Sequence, residues 1–251
     1  MGTSGPPAII TLTTDFGTCD HYVAVMKGVI AGICPSSRVI DVSHDVAPYQ
    51  IGQGAYLLSQ AWPWFPKGTV HIAVVDPGVG SERRALAVEA GGCRFVLPDN
   101  GLVDLLGLKD PVVHAIRNER LFLQPISRTF HGRDIFAPVG AHLVCGLEIS
   151  ETGPRIEDWI RADIHAGPRI LHIDRFGNLV TSLRSVDGGL HIGDREVRFL
   201  ATHYAEAPAG EPFLIIGSGG YVEVSVREGS AKSALGAYVG QAIGMPAPDH
   251  D

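Results

Sequence analysis

The chain has 251 residues, 45% of them hydrophobic, which is enough for one large domain or for a medium and a small one. Its formal net charge is -7, and the Lys and Arg residues are scattered, which excludes a basic nucleic-acid groove and fits a neutral or cationic small molecule better. No run of about 18 apolar residues occurs, so no membrane-spanning helix is expected. The opening Met1-Gly-Thr-Ser-Gly-Pro-Pro7 has neither a charged nor an apolar region of a secretion signal, and reads as a loose end. Cys19, Cys34, Cys93 and Cys145 form no C-x-x-C pair and lack zinc-ligand spacing. They are expected to be four reduced thiols of a cytoplasmic protein.

Ile9–Thr14 reads as a buried strand. Val23, Met26, Ile30 and Ile33 then recur on one helical face, and Pro35 stops that helix. Arg38–Ser43 predicts a second strand. Ile51, Ala55, Leu58 and Trp62 predict a second helix, and Thr69–Val75 a third strand. This β-α-β-α-β order predicts a mainly parallel sheet with helices on its faces. Ala85–Ala90 and Arg94–Leu97 flank Gly91-Gly92, which predicts a hairpin. A strand over Val112–Ile116 and a helix over Asp134–Val144 complete the pattern, with Asp134 near the helix start, where a carboxylate is favoured. Residues 147–168 are polar. Beyond them come short alternating segments: Arg169–Ile173, Leu190–Leu200, Phe213–Ile216 and Tyr221–Val226. The expected organisation is an α/β domain over residues 1–150, a linker over 151–167 and a small all-β, barrel-like or sandwich domain over 168–251.

Ligands of open parallel sheets sit beyond the carboxyl ends of the strands, and three polar clusters fall near such ends. In Thr14–Asp20, Asp15 follows a strand directly and can accept two ribose hydroxyls; Asp15 and Asp20 equally suit turn and cap positions. In Val75–Arg84, Arg83 lies one short loop from Asp76 and can hold it bidentately, as structural ion pairs also do. The G-x-G-x-x-G spacing of a dinucleotide site is absent. In Arg128–Asp134, His131 sits among arginines that favour its neutral form, which suits a base. Asp99-Asn100-Gly101 reads as a turn. No H-E-x-x-H or similar pattern occurs, so no metal site is expected.

Thr14–Gly17, Val75–Gly80 with Arg83, Pro98–Gly101, Thr129–Asp134 and Ile173–Asn178, in that order, resemble the S-adenosylmethionine (SAM) hydroxide adenosyltransferase family, relatives of SAM-dependent fluorinases and chlorinases. The resemblance spans nearly the whole chain. It implies an α/β domain followed by a β-barrel, and hydrolysis of SAM to adenosine and L-methionine without a cofactor. It further implies a homotrimer with SAM between the first domain of one subunit and the second domain of the next. The family's water-activating set falls on Asp76, Arg83 and His131: Asp76 and His131 would orient a water and accept its proton while Arg83 fixes Asp76. Substrate contacts are implied at Asp15 (ribose), Asp20 (methionine end), Phe130, Asp174, Asn178, Ser218 and Glu223. Two positions depart from the family pattern: Gly217 stands where Asn is expected before Ser218, and Thr181-Ser182 where Thr-Asn is expected. Competing readings are a 5′-halogenase, a SAM or adenosine sensor without turnover, and a phosphatase holding Mg²⁺ at Asp15 and Asp20.

Overall fold

A computed structural model describes residues 8–162 and 167–246. The leading segment 1–7, residues 163–166 of the expected linker and residues 247–251 lie outside the described residues. The chain divides into two compact units, Met1–Asp163 and Ile164–Asp251.

The first unit runs β1 (Ile9–Thr14), α1 (Tyr22–Ile33), β2 (Arg38–Ser43), α2 (Ile51–Ala61), β3 (Val70–Val74), β4 (Ala85–Ala90), β5 (Cys93–Pro98), α3 (Leu102–Leu105), β6 (Val112–Ala115), α4 (Ala137–Val144) and β7 (Arg155–Ile156). Its seven strands lie in the order β2-β1-β3-β5-β4-β6-β7. The β2, β1, β3 and β5 strands are mutually parallel, whereas β4, β6 and β7 pair antiparallel. The sheet is therefore mixed, which corrects the expectation of a mainly parallel one. The cause is local: Gly91 and Gly92 both have positive φ, at 60° and 80°, and a two-residue turn of that kind joins only antiparallel strands. Residues 155–156, expected in a linker, add the edge strand β7.

β1 and β3 are buried along their whole length, as strands covered on both faces must be. On one face Ile10, Leu12 and Ile72 pack with Met26 and Ile30 of α1 and Val139 of α4. On the other, Leu86, Val88 and Phe95 pack with Leu58 of α2 and Leu102 of α3. Residues of this kind contribute about 1.5–3 kcal/mol each when fully buried. The helix expected over 134–144 is α-helical only from Ala137, and Gly132–Phe136 before it is a π turn. Pro138 explains the change. It has no N–H to give the Asp134 carbonyl, and that carbonyl accepts the Leu123 N–H instead, at 2.9 Å.

The expectation of four free thiols is overturned. Cys34, at the end of α1, is disulfide-bonded to Cys145, at the end of α4, across 111 residues of sequence. Cys19 and Cys93 are free. Spacing rules could not find this pair, because packing of α1 against α4 is what brings the two helix ends together.

The second unit contains β8 (Ile170–Ile173), β9 (Leu179–Thr181), β10 (Leu190–Ile192), β11 (Arg195–Val197), β12 (Leu200–Ala201), β13 (Pro212–Ile216), β14 (Val222–Val226), α5 (Ala231–Leu235) and β15 (Ile243–Gly244). They form a five-stranded sheet, β12-β13-β14-β9-β8, and a three-stranded one, β11-β10-β15. Leu179, Leu190, Ile192, Leu214 and Val224 share its core. The segment Leu190–Leu200 is not continuous: Gly193 (φ 58°) turns β10 back onto β11, and β12 starts at Leu200 beside β13 in the other sheet.

Candidate active site

Parallel pairing of β1 with β3 sets Thr14 beside Val74. Asp15 and Asp76 consequently leave the same edge of the sheet, and both line one cleft of about 330 Å³. Asn100 holds the β3 end, its Nδ2 donating to the Val75 carbonyl at 2.9 Å. The expected turn at 99–101 is thus structural, with Asp99 accepting from Arg84 Nε and from the Ile160 N–H, each at 2.7 Å.

Asp76 and Arg83 have side chains only 4% and 8% exposed, so each charge needs the other. Arg83 Nε donates to both Asp76 oxygens at 2.9 and 3.0 Å, and its Nη2 also donates to Asp76 Oδ2. The same Nη2 lies 2.9 Å from His131 Nδ1. The guanidinium carbon stands 5.1 Å from the centre of the Phe136 ring. A guanidinium has no acceptor, so His131 Nδ1 must accept, and a neutral His131 then carries its proton on Nε2. Burial, reinforced by the Arg83 charge and opposed by Asp76 and Asp134, lowers the His131 pKa and keeps the ring neutral at pH 7.

Two details hold His131 against Arg83. Gly80 (φ 77°) lies so close to the Arg128 carbonyl that any side chain there would collide with it, which lets the loops after β3 and before α4 touch. The Asp134 carboxylate, 1% exposed, accepts the Ser127 N–H at 2.8 Å and Arg133 Nε at 2.5 Å, fixing the loop that carries His131.

Asp15 Oδ2 accepts the Tyr49 N–H at 3.0 Å. Its pKa is raised by burial, an effect countered by that hydrogen bond and added to by the Asp76 charge. Tyr49 is 71% exposed at the cleft rim and has φ 67°, a left-handed conformation that costs a non-glycine residue about 1–2 kcal/mol. Phe16, Tyr22 and Phe130 form an aromatic wall, with Tyr22 and Phe130 edge to face at 5.0 Å between centres and Phe16 and Phe130 at 5.9 Å. A mostly apolar cleft with a few convergent polar groups is the usual form of a small-molecule site.

The structure thus brings together Asp15, Asp76, Phe130 and His131 in the cleft wall, with Arg83 behind Asp76 and His131. Asp20 stands exposed on the bend before α1, outside that lining. Sequence reasoning missed Phe16 and Tyr22 as wall residues and Tyr49 as the partner of Asp15. The aromatics follow the Asp15 turn closely and could have been found there. A left-handed tyrosine could not.

The other expected contacts belong to the second unit. Asp174 Oδ1 accepts the Phe176 and Asn178 N–H groups at 2.9 Å each, and Asn178 Nδ2 donates to Asp174 Oδ2 at 2.8 Å, so this pair closes the β8–β9 turn. Asn178 also lines an open depression with Phe176, Tyr204 and Arg227. Ser218 is exposed on the turn after β13. Glu223 is half-buried, and burial together with Asp174 raises its pKa. A Cβ at Gly217 would meet the flexible end of the Glu223 side chain, which can move aside, so nothing in the structure explains the departure from the expected Asn. Thr181 is buried and donates to the Val222 carbonyl at 2.7 Å.

Residues 10–153 match the family described as SAM hydroxide adenosyltransferase N-terminal domain, and residues 168–244 the corresponding C-terminal domain. The chain is 41% identical over 247 residues to the (R)-S-adenosyl-L-methionine hydrolase of Thermus thermophilus, covering 92% of this chain and 96% of that protein. It is 27% identical over 225 residues to a fluorinase of an Actinoplanes species, covering 74% of this chain and 75% of that protein. The crystal structure of an uncharacterized conserved protein from Thermotoga maritima matches with a TM-score of 0.84 at 33% identity, covering 94% of this chain and 99% of that one.

Proposed function

The chain belongs to the SAM hydroxide adenosyltransferase family, and we propose that it hydrolyses S-adenosyl-L-methionine by water attack at C5′ of the ribose, giving adenosine and L-methionine. The observation that carries this reading is the Asp76–Arg83–His131 constellation facing the cleft beside Asp15. Asp15 takes the ribose hydroxyls, and the aromatic wall with Phe130 excludes bulk solvent. Asp174, Asn178, Ser218 and Glu223 serve the adenine and amino-acid ends, and Asp20 the methionine end. Asp174, Asn178, Ser218 and Glu223 reach the substrate from the second, barrel-like unit of a neighbouring subunit in a homotrimer, whereas Asp20 belongs to the first unit.

The leaving group is the thioether of methionine, already activated as a sulfonium, so no general acid and no metal is required. The weak partner is the nucleophile. Sequence alone casts both Asp76 and His131 as proton acceptors. The hydrogen bonding favours a division of labour. With Nδ1 committed to Arg83, His131 presents Nε2–H and donates to the water oxygen, aiming a lone pair at C5′. Asp76 accepts the water proton as the C5′–O bond forms and the C5′–S bond breaks, and later releases it to solvent. Arg83 keeps both groups in place. General-base help is worth about 10²–10⁴ in rate, and in-line positioning about 7–11 kcal/mol at best, so geometry outweighs proton transfer.

The test is product analysis with purified protein and SAM, with and without chloride or bromide and with and without a chelator. Equimolar adenosine and methionine under every condition supports the reading. A 5′-halo nucleoside would make it a halogenase, loss of turnover with chelator would point to a metal, and tight SAM binding without product would leave a sensor.

A further inference from the structure

Asp15 sits on a turn that is gripped from the neighbouring β2–α2 connection by one residue. His44 follows β2 and is buried, with 5% of its surface exposed. Its Nδ1 lies 2.8 Å from the hydroxyl of Thr14, the residue immediately before Asp15. That hydroxyl also accepts the Phe16 N–H at 3.3 Å. The His44 carbonyl accepts the Gly17 N–H at 2.8 Å. The ring's far nitrogen, Nε2, lies 3.0 Å from Asp41 Oδ1, and Asp41 is paired with Lys27 at 2.6 Å. Both ends of the Thr14–Gly17 turn are therefore tied to His44, one through its ring and the other through its backbone. Five residues on, the Tyr49 N–H reaches Asp15 itself at 3.0 Å.

We propose that His44 is a positioning residue for ribose recognition: through Thr14 and Gly17 it sets the angle at which Asp15 meets the two ribose hydroxyls. Its ring is one residue removed from the carboxylate, does not line the cleft, and acts on substrate only through Asp15. The Thr14 hydroxyl, accepting from Phe16, has its own proton free for His44 Nδ1, and a neutral His44 then carries its hydrogen on Nε2. The Nδ1 contact, with the Phe16 N–H on the other side of the oxygen, fixes the hydroxyl rotor and so the start of the turn; Asp41 is an ion-pair neighbour of the ring and not its hydrogen-bond acceptor. The proposal rests on reading Asp15 as the ribose acceptor. It places the effect of His44 on affinity, because ribose contacts are made alike in ground and transition states.

The experiment measures kcat and KM for SAM, the dissociation constant of adenosine by calorimetry, and the melting temperature, for the full-length protein and for His44→Ala, His44→Asn and Thr14→Val. Asn keeps an acceptor where His44 Nδ1 stands but cannot reach Asp41, and Val keeps the shape of Thr14 without its hydroxyl. His44→Ala and Thr14→Val are expected to raise KM and the adenosine dissociation constant about tenfold, the worth of one hydrogen bond, with kcat within about twofold of the parent. His44→Asn is expected to bind near the parent level. Unchanged adenosine affinity in Thr14→Val, or His44→Asn as poor a binder as His44→Ala, overturns the proposal; if His44→Ala does not fold, the other two variants decide it. A parent protein that binds adenosine but leaves SAM intact would defeat the hydrolase reading alone, with the adenosine constants still deciding the role of His44. A parent that neither binds adenosine nor turns over SAM overturns both; one that turns over SAM without measurable adenosine binding leaves the hydrolase reading standing, and an unchanged KM in Thr14→Val then overturns the role of His44.

Discussion

Arg83 meets Asp76 and His131 and has one way to satisfy them. It can only donate, so it fixes Asp76 as an acceptor and His131 as the tautomer protonated on Nε2. Nitrogen NMR of the free protein at pH 7 should accordingly show His131 with Nδ1 unprotonated. The pH profile follows from the lowered pKa of His131. The ring is neutral above its folded pKa, which lies below the ordinary 6.5, and protonation there would set an Nδ1–H against a guanidinium N–H. Turnover should therefore hold from pH 7 to below 6.5 before falling; an acid limb centred at or above 6.5 would contradict this. Asp76→Asn should lower kcat by about 10²–10⁴ with little change in SAM affinity, read by kinetics and calorimetry side by side. Asp76, Arg83 and His131 were legible as a set through the family resemblance, since each cluster alone also suited a turn or a structural ion pair. Tyr49 and His44 were not, since their roles depend on a left-handed backbone and on a hydrogen bond across loops.

Elements show the same division between local and tertiary information. The Gly91-Gly92 hairpin and its antiparallel pairing were readable because two residues settle them, yet the place of β4 and β5 between β3 and β6 is a matter of strand order, which no local pattern states. His71 on β3 is a second case. It is wholly buried, stacks on Phe95 of β5, and among the described residues hydrogen-bonds only with Thr11 of β1, at 2.7 Å. Burial lowers its pKa from 6.5 to about 4. The unfolded chain therefore binds a proton between those values that the folded chain does not, and stability falls as pH drops from about 6.5 toward 4. Two and a half units correspond to about 3 kcal/mol at most. Denaturant melts across that window should show the loss, and His71→Asn should flatten the slope; equal slopes would assign the acid sensitivity elsewhere.

At the scale of the whole molecule, the Cys34–Cys145 bond closes a loop of 111 residues around much of the first unit. Loop-closure entropy sets an upper contribution of roughly 4–5 kcal/mol for a loop of that length. Cys145 is exposed, so reductant can reach the bond. Reduction, or the paired change of Cys34 and Cys145 to Ser, should lower the melting temperature by several degrees while leaving turnover at low temperature intact, because the bond ties helix ends away from the cleft. Composition gave no hint of this bond. The two-unit organisation, by contrast, was legible from the change in texture near residue 150, where helical periodicity gives way to short alternating strands.

Water attack at C5′ of the ribose leaves the water oxygen in adenosine, and turnover of SAM in heavy-oxygen water, followed by mass spectrometry of both products, reads this. One heavy oxygen is expected in the 5′-hydroxyl of adenosine and none in methionine. Heavy oxygen in the methionine-derived product, or adenosine free of label, would place the broken bond elsewhere and contradict attack at C5′.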